Sequence, residues 1–190
     1  HNSGRRQRQM CIRDRHISDL HQSIETSEKK KTLFNLWIEL MSLKKDNYKS
    51  LDKKIMNFAI NIAENNKYLT GTNPSVGCVI VKNNKILSFA TTNNGGRPHA
   101  ESIALNKNRY NKGTSLYSTL EPCSHHGVTP PCTNAIIKNK VKRVYYSIED
   151  KDLRTFNKTK KILKSKKIVA ISGLQKRKVK NLYNCLLYTS

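Results

Sequence analysis

From Leu51 onward the apolar positions recur at helical spacing, with Leu51, Ile55, Phe58, Ala59, Ile62 and Ala63 on one face. Asn73-Pro74-Ser75 interrupts that period, because proline breaks a helix interior. Val76-Gly77-Cys78-Val79-Ile80-Val81 is then a continuous apolar run, the pattern of a strand covered on both faces. Asn83-Asn84 suits a tight turn, and Ile86 to Ala90 returns as a second strand. A helix is predicted from His99 to Asn106, a strand from Leu116 to Leu120 and a helix from Thr133 to Asn139. A strand from Val141 to Ile148, a helix from Phe156 to Ser165, a strand from Ile168 to Ile171 and a helix from Lys176 to Tyr183 complete the series. Strands alternating with helices predict one α/β domain over residues 51–184, a five-stranded sheet between two helix layers.

Composition narrows this picture only slightly. Apolar residues make up 36% of the 190, with few Gly and Pro, as in an ordinary globular chain. No apolar run approaches the roughly 20 residues of a membrane span, and the first residues lack the basic-then-apolar layout of a signal peptide. A cytoplasmic protein without membrane contact is the expectation. The net charge of +23 invites a nucleic-acid partner. Most of that charge is Lys spread along the whole length beside many Asn and Ile, as AT-rich coding favours. Arg, the better reader of phosphates and bases, is scarce beyond the N-terminus. A solvated basic surface is therefore favoured over a nucleic-acid face.

The two ends stand apart. Residues 10–15 (Met-Cys-Ile-Arg-Asp-Arg) and 185–190 (Cys-Leu-Leu-Tyr-Thr-Ser) can be encoded by opposite strands of one DNA segment. Inverted copies of that kind resemble the transposon ends used to prepare sequencing libraries, so 1–15 and 185–190 are read as translated adapter. The natural chain is then expected to continue past Asn184. Residues 16–50 form an N-terminal extension of uncertain status. Met41 suits a true start, which would make 16–40 translated upstream DNA, and a short accessory helix is the alternative. Setting the ends aside leaves Cys78, Cys123 and Cys132, a set that fits a reducing compartment better than a disulfide framework.

Two segments carry the candidate chemistry. In Pro98-His99-Ala100-Glu101 a loop enters a helix, and in Glu121-Pro122-Cys123 through Pro131-Cys132 a strand leads into the next helix. His99, Cys123 and Cys132 give a zinc ion three protein ligands and leave the fourth position open, the arrangement of a catalytic site. Both segments lie near helix N-termini, where the dipole favours a thiolate. Zinc lowers the pKa of a bound water to about 7. Glu101, two residues past His99, can reach that water without being a ligand. A lone His-x-Glu is a weak signal and two Cys can be packing thiols, but their order and their strand–helix junctions match the zinc deaminase signature with Glu as proton shuttle. Cys78, inside the apolar strand, reads as core.

Eight residues separate Cys123 from Cys132, where generic members of that fold have two. Leu120-Glu121-Pro122-Cys123-Ser124-His125-His126-Gly127 followed by Thr129-Pro130-Pro131-Cys132 resembles the deaminase domain of bacterial riboflavin biosynthesis. Asn73 to Val81 and Gly96 to Glu101 resemble it too. The resemblance implies a cytidine-deaminase-like three-layer α/β/α sandwich with a mixed sheet, one zinc per chain and a homo-oligomer. It also implies hydrolysis of the exocyclic amine of 2,5-diamino-6-ribosylamino-4(3H)-pyrimidinone 5′-phosphate, a small pyrimidine ribotide, and an NADPH-dependent reductase domain C-terminal to the deaminase. By position, Asn73 would hold the pyrimidine edge, His125 would line the substrate pocket and Asp150 would face the ribose. Each has a plainer competitor: Asn73 suits a turn before Pro74, and His125, His126 and Asp150 suit a solvated loop.

Two departures stand out. The family usually has Lys or Arg after Gly127, where this chain has Val128, and the Asp-Pro-Asn-Pro opening common after Asp150 is replaced by Lys151-Asp152-Leu153-Arg154. If the missing basic group meets the substrate phosphate, another cation must replace it, with Arg154 and Lys158 as candidates. A tRNA, nucleoside or nucleotide deaminase of the same fold is the alternative function, which the long Cys-to-Cys loop disfavours. A zinc-stabilised binding module is the non-enzymatic alternative, which an open fourth ligand position disfavours.

Overall fold

The computed structural model describes residues 48–187, with side chains from Ser50 to Tyr183. The readings made for residues 1–15, for 16–47 including Met41, and for 188–190 lie outside the described residues. Five helices and five strands follow in the order α1 (Tyr48–Asn65), β1 (Gly77–Lys82), β2 (Lys85–Thr91), α2 (Ala100–Asn106), β3 (Ser115–Leu120), α3 (Cys132–Lys138), β4 (Arg143–Ile148), α4 (Lys158–Ser165), β5 (Val169–Ser172) and α5 (Lys176–Leu187). The strands form one sheet in the order β2-β1-β3-β4-β5. β1 runs antiparallel to β2 and β3, while β3, β4 and β5 are parallel, so the sheet is mixed as expected.

Alternation along each strand divides the side chains between two helix layers. Cys78 and Ile80 of β1, Leu116 of β3 and Val144 and Tyr146 of β4 are buried with Ala100, Ala104, Ile136 and Leu163 of α2, α3 and α4. On the other face α1 packs on β1 and β3, and α5 packs on β4 and on α1. Tyr117 of β3 donates from its hydroxyl to Asp52 Oδ1 of α1 (2.6 Å) and stacks on Tyr145 of β4. Tyr183 of α5 donates to Ser75 O (2.9 Å), and its hydroxyl shares a hydrogen bond with Thr119 Oγ1 (2.7 Å), so α5 is tied to the ends of β1 and β3 beneath the site.

One close approach fixes α1 against the sheet. A Cβ on Gly77 would stand 1.9 Å from the carbonyl oxygen of Ala59, so β1 and α1 meet here only through a residue without a side chain. Asn83 and Asn84 both have positive φ (51° and 61°), the backbone of the tight hairpin turn expected between β1 and β2.

Most element ends fall within two residues of expectation. α1 (Tyr48–Asn65) and α5 (Lys176–Leu187) extend past the Leu51 and Tyr183 of the sequence pattern to the limits of the described residues. α4 starts at Lys158 rather than Phe156 because Asn157 takes the left-handed conformation (φ 58°) and the amides of Thr155 and Phe156 bond back to Asp152 O (both 2.8 Å). Cys78 is fully buried in the core, as its strand pattern indicates. No helix among the described residues is long and apolar enough to cross a membrane.

Candidate active site

A cleft opens at one edge of β1 and β3, where the loops before α2 and α3 meet the loop after β4. His99 is the N-cap residue of α2 and Cys132 the first residue of α3. Cys123 lies in the preceding loop and reaches the same helix end through its sulfur, which accepts from the amide of Cys132 (3.2 Å). His99 Nδ1 stands 3.5 Å from Cys123 Sγ and 3.4 Å from Cys132 Sγ, and the ligand atoms of the three all lie within 4.8 Å of one another. Tetrahedral zinc bonds of about 2.0–2.3 Å call for ligand atoms roughly 3.5 Å apart, so the trio fits that ion.

The electrostatics suit a cation. Hydrogen bonds from Cys132 and His99 hold the Cys123 thiol down at about 4, a thiolate, despite its burial. Cys132 is pushed well above the usual thiol range by its hydrogen bond to Cys123 and by burial. A bound divalent cation reverses that, since a coordinating thiol is deprotonated. The hydrogen bond to Cys123 raises the pKa of His99.

Glu101, in the first turn of α2, is 3% exposed. Its Oε1 accepts from Ser118 Oγ of β3 (2.9 Å), and its Oε2 lies 3.6 Å from Cys132 Sγ. Burial raises its pKa, with the ring of His99 pulling the other way. The carboxylate is thus fixed beside the three ligands by a hydroxyl from the middle of the sheet.

The other expected residues stand in the same cleft. Asn73, His99, Glu101, Cys123, His125 and Asp150 all line it, and Cys132 is buried at its foot. Asn73 is seated by the Thr70 hydroxyl on its carbonyl (2.7 Å) and by Gly96, where a Cβ would meet its side chain at 2.2 Å. His125 Nδ1 lies 2.9 Å from the buried Thr155 hydroxyl. Asp150 Oδ1 accepts from the amide of Asp152 (3.0 Å), and burial raises its pKa. Val128 is 85% exposed and His126 is exposed, neither lining the cleft. Lys158 is exposed and outside the cleft, and Arg154 lines it with its guanidinium on the carboxylate of Asp152.

Four residues have a part here that the sequence did not assign to them. Ser118 and Thr155 are ordinary strand and loop residues until the fold brings them to Glu101 and His125. Arg97 lines the cleft and donates from Nη1 to Thr129 Oγ1 (3.1 Å). Glu121, 2% exposed, accepts at Oε2 from the amides of Asp150 (3.2 Å) and Asn157 (3.3 Å), so one buried carboxylate ties both ends of the loop after β4. It follows directly on β3 in the segment Glu121-Pro122-Cys123, but nothing local says which loop it holds.

A sheet between two helix layers, a His and two Cys at helix ends, and a buried Glu beside them define a zinc-dependent deaminase domain. Residues 49–148 match the family model described as the cytidine and deoxycytidylate deaminase zinc-binding region, and the chain belongs to that family. Within it, the chain is 39% identical over 127 residues to diaminohydroxyphosphoribosylamino-pyrimidine deaminase of Buchnera aphidicola subsp. Schizaphis graminum (strain Sg), covering 66% of this chain and 86% of that protein. It is 45% identical over 103 residues to riboflavin biosynthesis protein RibD of Aquifex aeolicus (strain VF5), which is 54% of this chain and only 29% of that protein. The fold superposes with a TM-score of 0.68 and 32% identity on the diaminohydroxyphosphoribosylaminopyrimidine deaminase/5-amino-6-(5-phosphoribosylamino)uracil reductase of Thermotoga maritima, covering 74% of this chain and 41% of that one.

Proposed function

We propose that this cleft hydrolyses the exocyclic amine of 2,5-diamino-6-ribosylamino-4(3H)-pyrimidinone 5′-phosphate, releasing ammonia and leaving a ring carbonyl. The observation that carries the reading is the seat of Glu101, a desolvated carboxylate gripped by Ser118 and set against Cys132 beside the ligand trio. Zinc on His99, Cys123 and Cys132 supplies the Lewis acid that activates water. Ser118 occupies Oε1 of Glu101, which leaves Oε2 to carry two protons in turn, the first from the attacking water to a ring nitrogen and the second from the hydroxyl so added to the departing amine. Burial moves this carboxyl toward the range where it can both accept and release a proton. Asn73 holds the pyrimidine edge, His125 lines the substrate pocket and Asp150 faces the ribose.

Ammonia release from the diaminopyrimidine ribotide by the zinc-loaded protein tests the reading. Glu101→Gln is expected to abolish it with zinc retained. Turnover of cytidine or of tRNA adenosine in place of the ribotide would overturn it. The proposal extends to a reductase domain C-terminal to the deaminase, supported by relatives of which this chain spans 29% and 41%. The untrimmed genomic reading frame tests that part, and a stop codon soon after Asn184 would rule it out.

A further inference from the structure

The cleft is lined by four carboxylates, Glu101, Glu121, Asp150 and Asp152, and by two cations, Arg97 and Arg154. A phosphate dianion entering it meets like charge almost everywhere, so where it can rest depends on which cation has charge to spare. Arg154 does not: Nε and Nη2 both bind the carboxylate of Asp152, and the side chain is 66% exposed. Arg97 faces no carboxylate within ion-pair distance among the described residues. One of its five donors goes to Thr129 Oγ1, which fixes the guanidinium against the loop between the two cysteines.

That guanidinium and the ring of His125 both come close to Gly127. A Cβ built on Gly127 would lie 3.7 Å and 4.0 Å from Arg97 Nη2 and Nη1, and 3.8 Å from His125 Nε2. Nitrogen atoms of the two groups thus lie within 4 Å of one point beside residue 127. His125 presents Nε2 there because Nδ1 is engaged by Thr155. The neighbouring Val128 brings no charge and stands in solvent, 85% exposed.

We infer that Arg97 and His125, over Gly127, form an anion subsite that takes the 5′-phosphate of the substrate, Arg97 supplying from the α2 side the charge that Val128 does not. The inference rests on the ribotide reading above. A guanidinium fork matches two phosphate oxygens at once, which a lysine in its place would not.

Steady-state kinetics of the zinc-loaded protein on the ribotide and on its dephosphorylated riboside test it. Arg97→Gln is expected to raise KM for the ribotide roughly ten- to hundredfold, the worth of a hydrogen bond to a charged group, with little change in kcat or in riboside turnover. Zinc content and melting temperature equal to the parent protein confirm that the variant is folded. Adding Val128→Arg to Arg97→Gln is expected to restore part of the lost ribotide affinity. Equal losses on ribotide and riboside, or a phosphate-selective loss in Arg154→Gln or Lys158→Gln instead, would overturn the assignment. Titration with ribose 5-phosphate separates this claim from the proposed activity. Binding that Arg97→Gln removes supports the subsite even if the pyrimidine is not turned over, and no binding to the parent protein refutes it.

Discussion

The two walls of the cleft are held in different ways. The wall of the ligand trio stands on regular structure: His99 sits at the N-cap position of α2, Cys132 opens α3, and Glu101 is braced by Ser118 from within β3. The opposite wall is the loop from Asp150 to Asn157, held to the core chiefly by the Glu121 carboxylate on two of its amides and by the buried Thr155. Groups that move protons must keep their geometry to a fraction of an ångström, which helix ends and strands supply. Groups that only position a substrate tolerate more play, and a loop held by a few side-chain contacts can be rewritten without disturbing the ligand trio. Of the departures from the family pattern, residues 151–154 fall on this second wall, while Val128 stands in solvent on the loop between the two cysteines.

That contrast can be broken by four variants of decreasing effect. His99→Ala is expected to lose both bound zinc and all deaminase activity, read by metal analysis beside the ammonia assay, and retention of stoichiometric zinc would remove His99 from the ligand set. Glu101→Gln is expected to keep zinc and lower kcat by about 10²–10⁴-fold, the usual share of general acid–base catalysis. Glu121→Ala frees the amides of Asp150 and Asn157 and is expected to raise KM about tenfold while kcat changes little, in line with two lost hydrogen bonds to a charged group that water partly replaces. A fall in kcat as deep as that of Glu101→Gln would show that the two walls are not independent. Thr155→Val keeps the shape but removes the partner of His125 Nδ1, and a KM rise of about fivefold is expected, near 1 kcal/mol. No change at all would mean that His125 needs no orienting hydroxyl.

How far the sequence could be read follows the same division. The strands and the ligand trio are legible because each depends on local pattern: strand periodicity, a Pro-flanked His-x-Glu, and two Cys at a strand–helix junction; the mixed sheet follows from the family resemblance. Ser118, Arg97 and Thr155 are not legible, since their partners lie 17, 32 and 30 residues away in the chain and only the folded sheet brings them together. The start of α4 was placed two residues early for a related reason. Phe156 continues the apolar pattern, yet the left-handed Asn157 and the amide bonds to Asp152 O turn the chain before the helix begins, and Phe156 is left 47% exposed. Arg154 and Lys158 were reasonable phosphate candidates by charge alone. Neither charge nor sequence distance reveals that Arg154 is already neutralised by Asp152 or that Lys158 lies outside the cleft.

Gly77 shows what the rigid wall demands of the chain. It touches no metal ligand and would face no substrate, yet a single methyl group there would collide with the backbone of α1 at Ala59. In a population of random variants selected for growth on a new pyrimidine, codon 77 would therefore stay frozen while codons 151–154 diversified. The most restricted letter in such a population need not belong to the chemistry at all.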